Sequence, residues 1–528
     1  MHNVEFFHYL LFLICGAGLL TWLAERIAIA PAVVLFAGGS AVALFGGQPA
    51  ASMDPALVLM AILPPLLMSS AFYTAWGDFK RNGAAIASLA LGAVVFTTVA
   101  VAAAVRIADP SLPWPACFAL GAIVSPPDAV AAKAMLQRFP LPARLVTVLE
   151  GESLVNDASG LLLYQMAIAA ALAGRFTAGT AASLFVTLTL VGIVTGVICG
   201  QVMMWLIRRL RDPMLCILLT FLMAWGSYAI AEALGGSGVL SVVACGLVLG
   251  VRQHKAFDAG MRIKAESTWE TVVFVLDALV FILIGLSLHA LLARMQADGA
   301  LLRAGLDVAL PAVGAVVAAR LLWVGLAVYL PSRLTARPGG RPAWSFGESL
   351  VLGWAGMRGV VSLAAALALP EALPGRDVIL FSTFVVIFAT LVVQGLTLAP
   401  LIRLLKLKPG HRAAAMNEHE VRSHTFRASL IELRHRRAAN PAAQDEDLDR
   451  LIGEYQIRVR NNENAHQHGQ EHVDRRARQL RIELDLVGVS RQELLRLHRA
   501  GRVPDPVLHR IESELDFEEL RLQRLLAP

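Results

Sequence analysis

One ten-residue stretch decides the fold: Leu149-Glu150-Gly151-Glu152-Ser153-Leu154-Val155-Asn156-Asp157-Ala158. It carries three carboxylates and an amide, yet the apolar pattern continues beyond it through Leu161-Leu162-Leu163. A charged side chain at the centre of a membrane helix costs about 2.5–3.5 kcal/mol and usually faces a bundle interior or a water-filled pathway. The stretch therefore predicts a transport site inside a membrane.

The spacing within this stretch predicts two polar columns on one helix. Ser153 and Asp157 are four residues apart, as are Glu152 and Asn156, so each pair lies on one helix face. Carboxylate, hydroxyl and amide oxygens suit hard cations, whereas soft transition metals prefer Cys or His. The alternative is that the acids only pair with basic residues and hold helices together. That interpretation fits Glu152 better than Asp157.

The composition is that of a membrane protein with many spans. Of 528 residues, 56% are hydrophobic and 16% charged, and the mean hydropathy is +0.61. The charge distribution predicts a membrane domain over 1–408 and a soluble tail over 409–528. The five cysteines lie in apolar runs without metal-ligand spacing. We find no nucleophile constellation, transition-metal cluster or phosphate loop, so we expect no enzyme activity, no cofactor and no nucleic-acid partner.

Apolar runs of about 20 residues predict thirteen membrane spans. The predicted spans lie near 4–25, 29–46, 54–74, 83–106, 113–137, 142–173, 180–208, 213–231, 236–251, 268–293, 307–330, 346–369 and 377–405. If the N-terminus is outside, nineteen Lys and Arg residues fall in inside loops and five in outside loops. Because basic residues favour cytoplasmic loops, we expect a multi-pass protein of the cell (inner) membrane with a cytoplasmic tail.

Two of the spans are predicted to be broken. The fifth carries Ser125-Pro126-Pro127-Asp128 at its middle, where two prolines remove backbone donors. The twelfth carries Gly353, Gly356 and Gly359 around a mid-span Arg358. Interrupted helices at corresponding positions of two halves indicate the binding site of an inverted-repeat transporter. Spans 1–6 and 8–13 would form the two repeats.

The motifs around these residues resemble the sodium/proton exchangers of the monovalent cation/proton antiporter family, over essentially all of residues 5 to 405. They are Leu120-Gly121-Ala122-Ile123-Val124-Ser125-Pro126-Pro127-Asp128-Ala129-Val130, the stretch from Glu150 to Ala158, Gly356-Met357-Arg358-Gly359 and Leu63-Pro64-Pro65-Leu66-Leu67. The Asn156-Asp157 pair resembles the electroneutral, bacterial branch. The resemblance implies an all-α membrane protein that exchanges Na⁺, or alternatively Li⁺ or K⁺, for H⁺.

The resemblance also implies roles for individual residues. Asp157 would bind the cation and the proton in turn, and Asn156 would orient the ligands. A structural ion pair would join Glu152 to Arg358. A homodimer in membrane lipid, with a moving core domain, is implied as well. The remaining implied cation ligands are Ser153, Asp128 and the carbonyl of Pro127.

Two positions depart from the family pattern. Ser69 stands where several members carry Glu or Asp, so one carboxylate is missing near the expected site. Asp277 stands where relatives often carry Asn, which adds an acid within a predicted span. We expect Asp277 to be structural and to pair with Arg320.

The expected mechanism is competition at one carboxylate. Burial favours the neutral acid, whereas a bound cation favours the ionised form. Alternating access then requires only that the helix bundle rock when a proton or a cation neutralises the site. The alternatives are a cation channel and a non-transporting membrane sensor coupled to the tail. Proton flux into vesicles distinguishes all three.

The tail is expected to be helical and to serve regulation or assembly. Nine of the thirteen histidines lie in it, so pH sensing is an alternative function for it. Residues 461 to 472 are predicted to be a flexible connector. Ser490 and Glu493 are predicted to cap the start of a helix.

Overall fold

The computed structural model describes residues 2–27, 29–45, 55–128, 132, 136, 139, 141–173, 178–210, 212–296, 299–334, 344–407, 418–439, 446–467, 470–500 and 502–526. All regular secondary structure in these ranges is helical. The chain forms two compact units, Met1–Gly410 and His411–Pro528.

The first unit contains eighteen α-helical segments within the described ranges. They are α1 (His2–Arg26), α2 (Pro31–Phe45), α3 (Pro55–Phe72), α4 (Trp76–Arg81), α5 (Gly83–Ala87), α6 (Val94–Ala108), α7 (Trp114–Val124), α8 (Ala143–Ala173), α9 (Ala178–Ile207), α10 (Pro213–Ala233), α11 (Gly238–Ala256), α12 (Ala259–Gln296), α13 (Gly299–Val324), α14 (Leu330–Leu334), α15 (Phe346–Trp354), α16 (Val360–Leu367), α17 (Arg376–Phe388) and α18 (Gly395–Leu405).

Seven helical stretches of the described chain are long and apolar enough to cross a membrane. They are Gly83–Ala108, Ala143–Leu172, Ala182–Ile207, Pro213–Ala233, Ala259–Leu286, Leu302–Leu334 and Arg376–Leu405. Four shorter apolar helices lie at Pro31–Leu44, Met60–Phe72, Trp114–Val124 and Gly238–Gln253. A helix of about 20 residues is needed to span the hydrocarbon core, so these lengths establish a polytopic membrane unit.

Both predicted breaks are present. α7 ends at Val124, directly before Ser125-Pro126-Pro127, because the prolines cannot continue the backbone hydrogen bonds of the helix. α15 ends at Trp354 and α16 begins at Val360, so the backbone of residues 355–359 is unwound. Most of the chain between the first break and α8 lies outside the described residues.

Within the described part of the chain, three stretches of π-helix interrupt the long helices: Ser88–Ala93, Gly325–Tyr329 and Ala389–Gln394. A π-helical turn leaves carbonyl groups displaced from the regular ladder and often lies at a functional site. Two of these stretches contact the broken helices or α8 through side-chain hydrogen bonds, as described below.

α8 carries the charged stretch and packs along α7. α12 packs chiefly along α2, while α3 packs against α11. The three helices α3, α12 and α16 also contact one another. This arrangement places the middle of α8 opposite α3, α12 and α16.

The second unit consists, in its described part, of four helices: α19 (Glu418–Ala439), α20 (Glu446–Gln467), α21 (Gln470–Arg499) and α22 (Asp505–Leu526). α19 pairs with α20, and α21 with α22. The connector predicted over 461–472 is helical in its described part, since α20 continues to Gln467 and α21 begins at Gln470. Residues 468–469 lie outside the described residues. The predicted capping box is wrong. α21 continues through Ser490, and Glu493 pairs with Arg496 of the next turn instead of capping a helix start.

Candidate functional site

The two breaks are joined by a backbone hydrogen bond. The N–H of Asp128 donates to the carbonyl of Met357 at 2.7 Å. Each of these groups belongs to an unwound segment and therefore lacks the helical partner that a continuous helix would provide. The bond fixes the two breaks against each other and holds the Asp128 backbone at their junction.

Arg358 is fully buried, and backbone carbonyls satisfy its guanidinium. Its Nε donates to the carbonyl of Val124 at 2.7 Å, and its Nη1 donates to the carbonyl of Gly356. Val124 is the last residue of α7, and Gly356 lies just beyond α15, so both carbonyls belong to helix C-termini that carry partial negative charge. The backbone N–H of Arg358 donates to Thr390 Oγ1 at 3.1 Å. Arg358 thus neutralises the ends of both half-helices.

Glu152 pairs with Arg320, not with Arg358 as the sequence suggested. Arg320 Nη1 and Nη2 donate to the two carboxylate oxygens at 2.6 and 2.9 Å, and the side chains are 3% and 1% exposed. Nη2 also donates to the carbonyl of Leu352 at 3.1 Å. The predicted direct partner was wrong because both carboxylate oxygens of Glu152 bind Arg320, while the Arg358 guanidinium donates to helix-terminal carbonyls. The expected pairing of Asp277 with Arg320 is also wrong, since Glu152 occupies both terminal nitrogens of Arg320.

Asn156 holds the first break in place. Its Nδ2 donates to the carbonyl of Pro127 at 2.7 Å, so the side chain next to Asp157 orients the carbonyl that was predicted to bind the cation. One turn further along α8, Ser159 Oγ donates at 2.5 Å to the carbonyl of Ala90, which lies within the first π-helical stretch. The middle of α8 is therefore attached to two irregular backbone segments.

Two glycines allow close packing at the break. A Cβ on Gly359 would overlap the Asp128 carboxylate, and a Cβ on Gly160 would overlap the Pro126 ring. Gly359 directly precedes α16, so the Asp128 carboxylate lies beside the positive end of that half-helix. This contact places an anion where a helix N-terminus favours one.

A cavity of about 280 Å³ lies between α8 and the helices opposite it. Asp157, near the middle of α8, and Asp128 at the break both line this cavity. The structure also brings Ser153, Ser69 and Asp277 to it, whereas Asn156 and Pro127 are not among its lining residues. Further polar residues of the lining are Ser70, Tyr73, Thr74, Glu150 and Ser362.

Several of these residues were not identified from the sequence as site residues. Glu150 belongs to the charged stretch, and its position one helical turn from Ser153 was a usable signal. Ser362 is a lone hydroxyl in an apolar helix, which is a weak signal. Thr390 could not have been found, since its role depends on the fold bringing it to the backbone of Arg358.

The oxygen donors of this cavity are carboxylates and hydroxyls, which suit hard cations better than soft metals. Within the described ranges, no group of three or more His, Cys, Asp or Glu side chains could hold a metal ion. The arrangement offers a buried acid, Asp157, that a proton or a cation can neutralise.

Comparison with known proteins shows the family of the chain. The family model "Sodium/hydrogen exchanger, transmembrane" matches residues 10–404. An uncharacterized Na⁺/H⁺ exchanger of Mycobacterium tuberculosis is 30% identical over 522 residues, which cover 95% of this chain and 93% of the relative. The Na⁺/H⁺ antiporter NhaP of Pseudomonas aeruginosa is 31% identical over 358 residues, covering 66% of this chain and 82% of that protein.

Among solved structures, the sodium proton antiporter MjNhaP1 from Methanocaldococcus jannaschii at pH 8 matches with a TM-score of 0.62 and 20% identity. The match covers 77% of this chain and 100% of the other. At this identity the likeness concerns the fold. The family model spans the charged stretch of α8, both broken helices and most of the first unit. The chain therefore belongs to the transmembrane sodium/hydrogen exchanger family.

Proposed function

We propose that the chain exchanges Na⁺ for H⁺ across a membrane by alternating access, with one proton moved for each cation. The observation that carries the proposal is the cavity in which Asp157 of α8 and Asp128 of the first break meet. Family membership and the names of the relatives support cation/proton exchange. Li⁺ and K⁺ are the alternative cations.

The chemistry rests on the burial of Asp157. An ionised carboxylate without a counterion is costly in a low-dielectric interior, so the site is neutralised either by a proton or by a cation. The neighbouring basic groups do not supply that neutralisation, because Arg320 binds Glu152 and the Arg358 guanidinium binds carbonyls. Proton and cation then compete for the same carboxylate.

The stoichiometry follows from the residue beside Asp157. Asn156 uses its amide to hold the Pro127 carbonyl and cannot titrate. A single titrating acid exchanges one H⁺ for one monovalent cation, and the net charge moved per cycle is zero. Electroneutral exchange is therefore expected.

The proposed topology has thirteen spans in two inverted repeats, with the N-terminus outside and the tail cytoplasmic. Each broken helix is then the fifth element of its repeat. Tyr73, just beyond α3, and Glu150, near the start of α8, line the cavity. The bias of Lys and Arg predicts that the end of α3 and the start of α8 lie on the cytoplasmic side, which supports a cavity open toward the cytoplasm.

The proposal extends to the organisation of the whole chain. A membrane domain of residues 1–408 would carry out exchange in the inner membrane as a homodimer. The tail, 409–528, would regulate or assemble it. Chemical cross-linking of the chain in lipid, with and without the tail, tests both statements.

The first test is the substitution Asp157→Asn in proteoliposomes, with proton flux recorded as Na⁺, Li⁺ or K⁺ is added. Exchange should be abolished while the variant remains folded and inserted. The matched control is Asp307→Asn, which changes an exposed aspartate of α13 that does not line the cavity. Normal turnover of the Asp157 variant would overturn the site assignment.

The second test concerns charge movement. Exchange by the wild-type chain should be insensitive to a membrane potential set by potassium and valinomycin, although 100 mV is worth about 2.3 kcal/mol per elementary charge. A sustained current during exchange, or a rate that rises steadily with potential, would show that a second proton moves.

A further inference from the structure

Three mutually contacting helices contribute oxygen-bearing side chains to the wall of the cavity that lies opposite α8. Ser69 comes from α3, Asp277 from α12 and Ser362 from α16. α12 contacts both α3 and α16, and α16 contacts α3. The three side chains therefore converge on the same cavity from adjoining helices, and Asp157 faces this cavity from α8.

The hydroxyl of Ser362 is the second observation at this wall of the cavity. The residue is 1% exposed, and its Oγ has no hydrogen-bond partner among the described residues. A buried hydroxyl without a partner is unfavourable, whereas a cation accepts oxygen ligands of this kind. Ser362 also lies in the first turn of α16, three residues after Gly359, which contacts Asp128.

We propose that Asp277, together with Ser69 and Ser362, forms a second cation position in this cavity. A monovalent cation would occupy it before reaching Asp157. The inference rests on the proposed exchange function and adds to it a separate binding step. The carboxylate attracts the cation into the cavity, and the two hydroxyls replace part of its hydration shell. Asp277 then sets the affinity for the cation, while Asp157 exchanges it for a proton.

The experiment compares Asp277→Asn with Asp277→Glu, Ser362→Ala and the control Asp307→Asn. Two readouts are used: the Na⁺ concentration that gives half-maximal exchange in proteoliposomes, and the Na⁺ concentration that gives half-maximal thermal stabilisation in detergent. The second readout measures binding alone, because a ligand of the folded state raises its stability whether or not transport occurs. Na⁺ is the only probe.

Asp277→Asn should raise both half-maximal Na⁺ concentrations about tenfold, which corresponds to about 1.4 kcal/mol. Asp277→Glu should retain the wild-type Na⁺ affinity. Ser362→Ala should raise both half-maximal Na⁺ concentrations about threefold, which corresponds to somewhat under 1 kcal/mol. The control Asp307→Asn should change neither concentration. In an Asp157→Asn background, residual stabilisation by Na⁺ should persist and disappear when Asp277→Asn is added. Adding Ser69→Asp to the Asp277→Asn variant should restore affinity, since α3 would then supply the carboxylate.

Unchanged Na⁺ affinity in Asp277→Asn would overturn the second position. Loss of all exchange in that variant with unchanged Na⁺ binding would also overturn it, because Asp277 would then take part in proton transfer or in the conformational change instead of in Na⁺ binding. If Asp277→Asn does not fold, the shift expected in Ser362→Ala decides instead. Loss of Na⁺ binding in the variant, with no exchange by the wild-type chain, would support the position and refute only the proposed function.

Discussion

The Glu152–Arg320 pair gives the most quantitative prediction for the membrane unit. Both side chains are almost fully buried and form two hydrogen bonds of 2.6 and 2.9 Å. Two opposite charges about 4 Å apart attract by about 4 kcal/mol at an effective dielectric constant of 20. The cost of removing both charges from water offsets much of this attraction, so the intact pair contributes little net stability.

Removing one partner has a much larger effect, because the remaining charge stays buried. We expect Glu152→Ala or Arg320→Ala to destabilise the unit by about 3–5 kcal/mol. Unfolding entropies of about 2.1 cal/mol/K per residue, applied to Met1–Gly410, convert this loss to a fall in Tm of about 4–6 °C. Thermal unfolding followed by tryptophan fluorescence in detergent measures the shift.

The double variant Glu152→Leu with Arg320→Met should recover most of the lost stability, since apolar side chains of similar volume replace the pair. The matched control is a second cycle that combines Glu152→Leu with Arg358→Met. Its coupling energy should be clearly smaller, because Arg358 binds the carbonyls of Val124 and Gly356. Equal coupling in the two cycles, or wild-type stability in both single variants, would refute the assignment of partners.

Two further changes test the junction of the breaks. Gly359→Ala should reduce exchange at least tenfold, because its Cβ would displace the Asp128 carboxylate. The control Gly314→Ala should be neutral, because nothing lies within 4 Å of the added Cβ. Proton flux at saturating Na⁺ measures both variants, and wild-type flux in the Gly359 variant would contradict the predicted contact. Asn156→Ala removes the hydrogen bond to the Pro127 carbonyl. The variant should lose about 1–3 kcal/mol of stability and should bind Na⁺ more weakly. An unchanged Tm together with an unchanged Na⁺ titration would show that the hydrogen bond has no role.

The positions of the breaks were predictable because they depend on local chemistry. Pro126 and Pro127 cannot donate backbone hydrogen bonds, and three glycines flank the mid-span Arg358. The location of Asp157 within a membrane span could also be predicted from the sequence, since the apolar pattern continues on both sides of it. These features require no knowledge of which helices become neighbours.

The ion-pair partners were not predictable in the same way. A buried arginine can be satisfied by a carboxylate or by helix-terminal carbonyls, and the choice depends on how the half-helices cross. Arg320 had no local signal that linked it to Glu152, 168 residues earlier in the chain. Ser362 and Thr390 likewise acquire their roles only when α16 and the π-helical stretch Ala389–Gln394 pack beside the breaks. The π-helical stretches also lack a sequence signal of the kind that Pro and Gly provide.

The contacts around Asp157 link ion binding to the geometry of the crossing. Asn156, its neighbour in α8, holds the carbonyl of Pro127, and the next residue, Asp128, is bonded through its N–H to Met357. Arg358, one residue further on, bonds to the C-terminal ends of α7 and α15. The middle of α8 and both breaks are thus joined by a short series of hydrogen bonds that shield the half-helix ends from the apolar interior. A displacement of α8 relative to one break would leave buried donors or carbonyls without partners, at a cost of about 1–3 kcal/mol each. These elements should therefore move as one body when Asp157 is neutralised, with the change of access occurring along the cavity wall formed by α3 and α12.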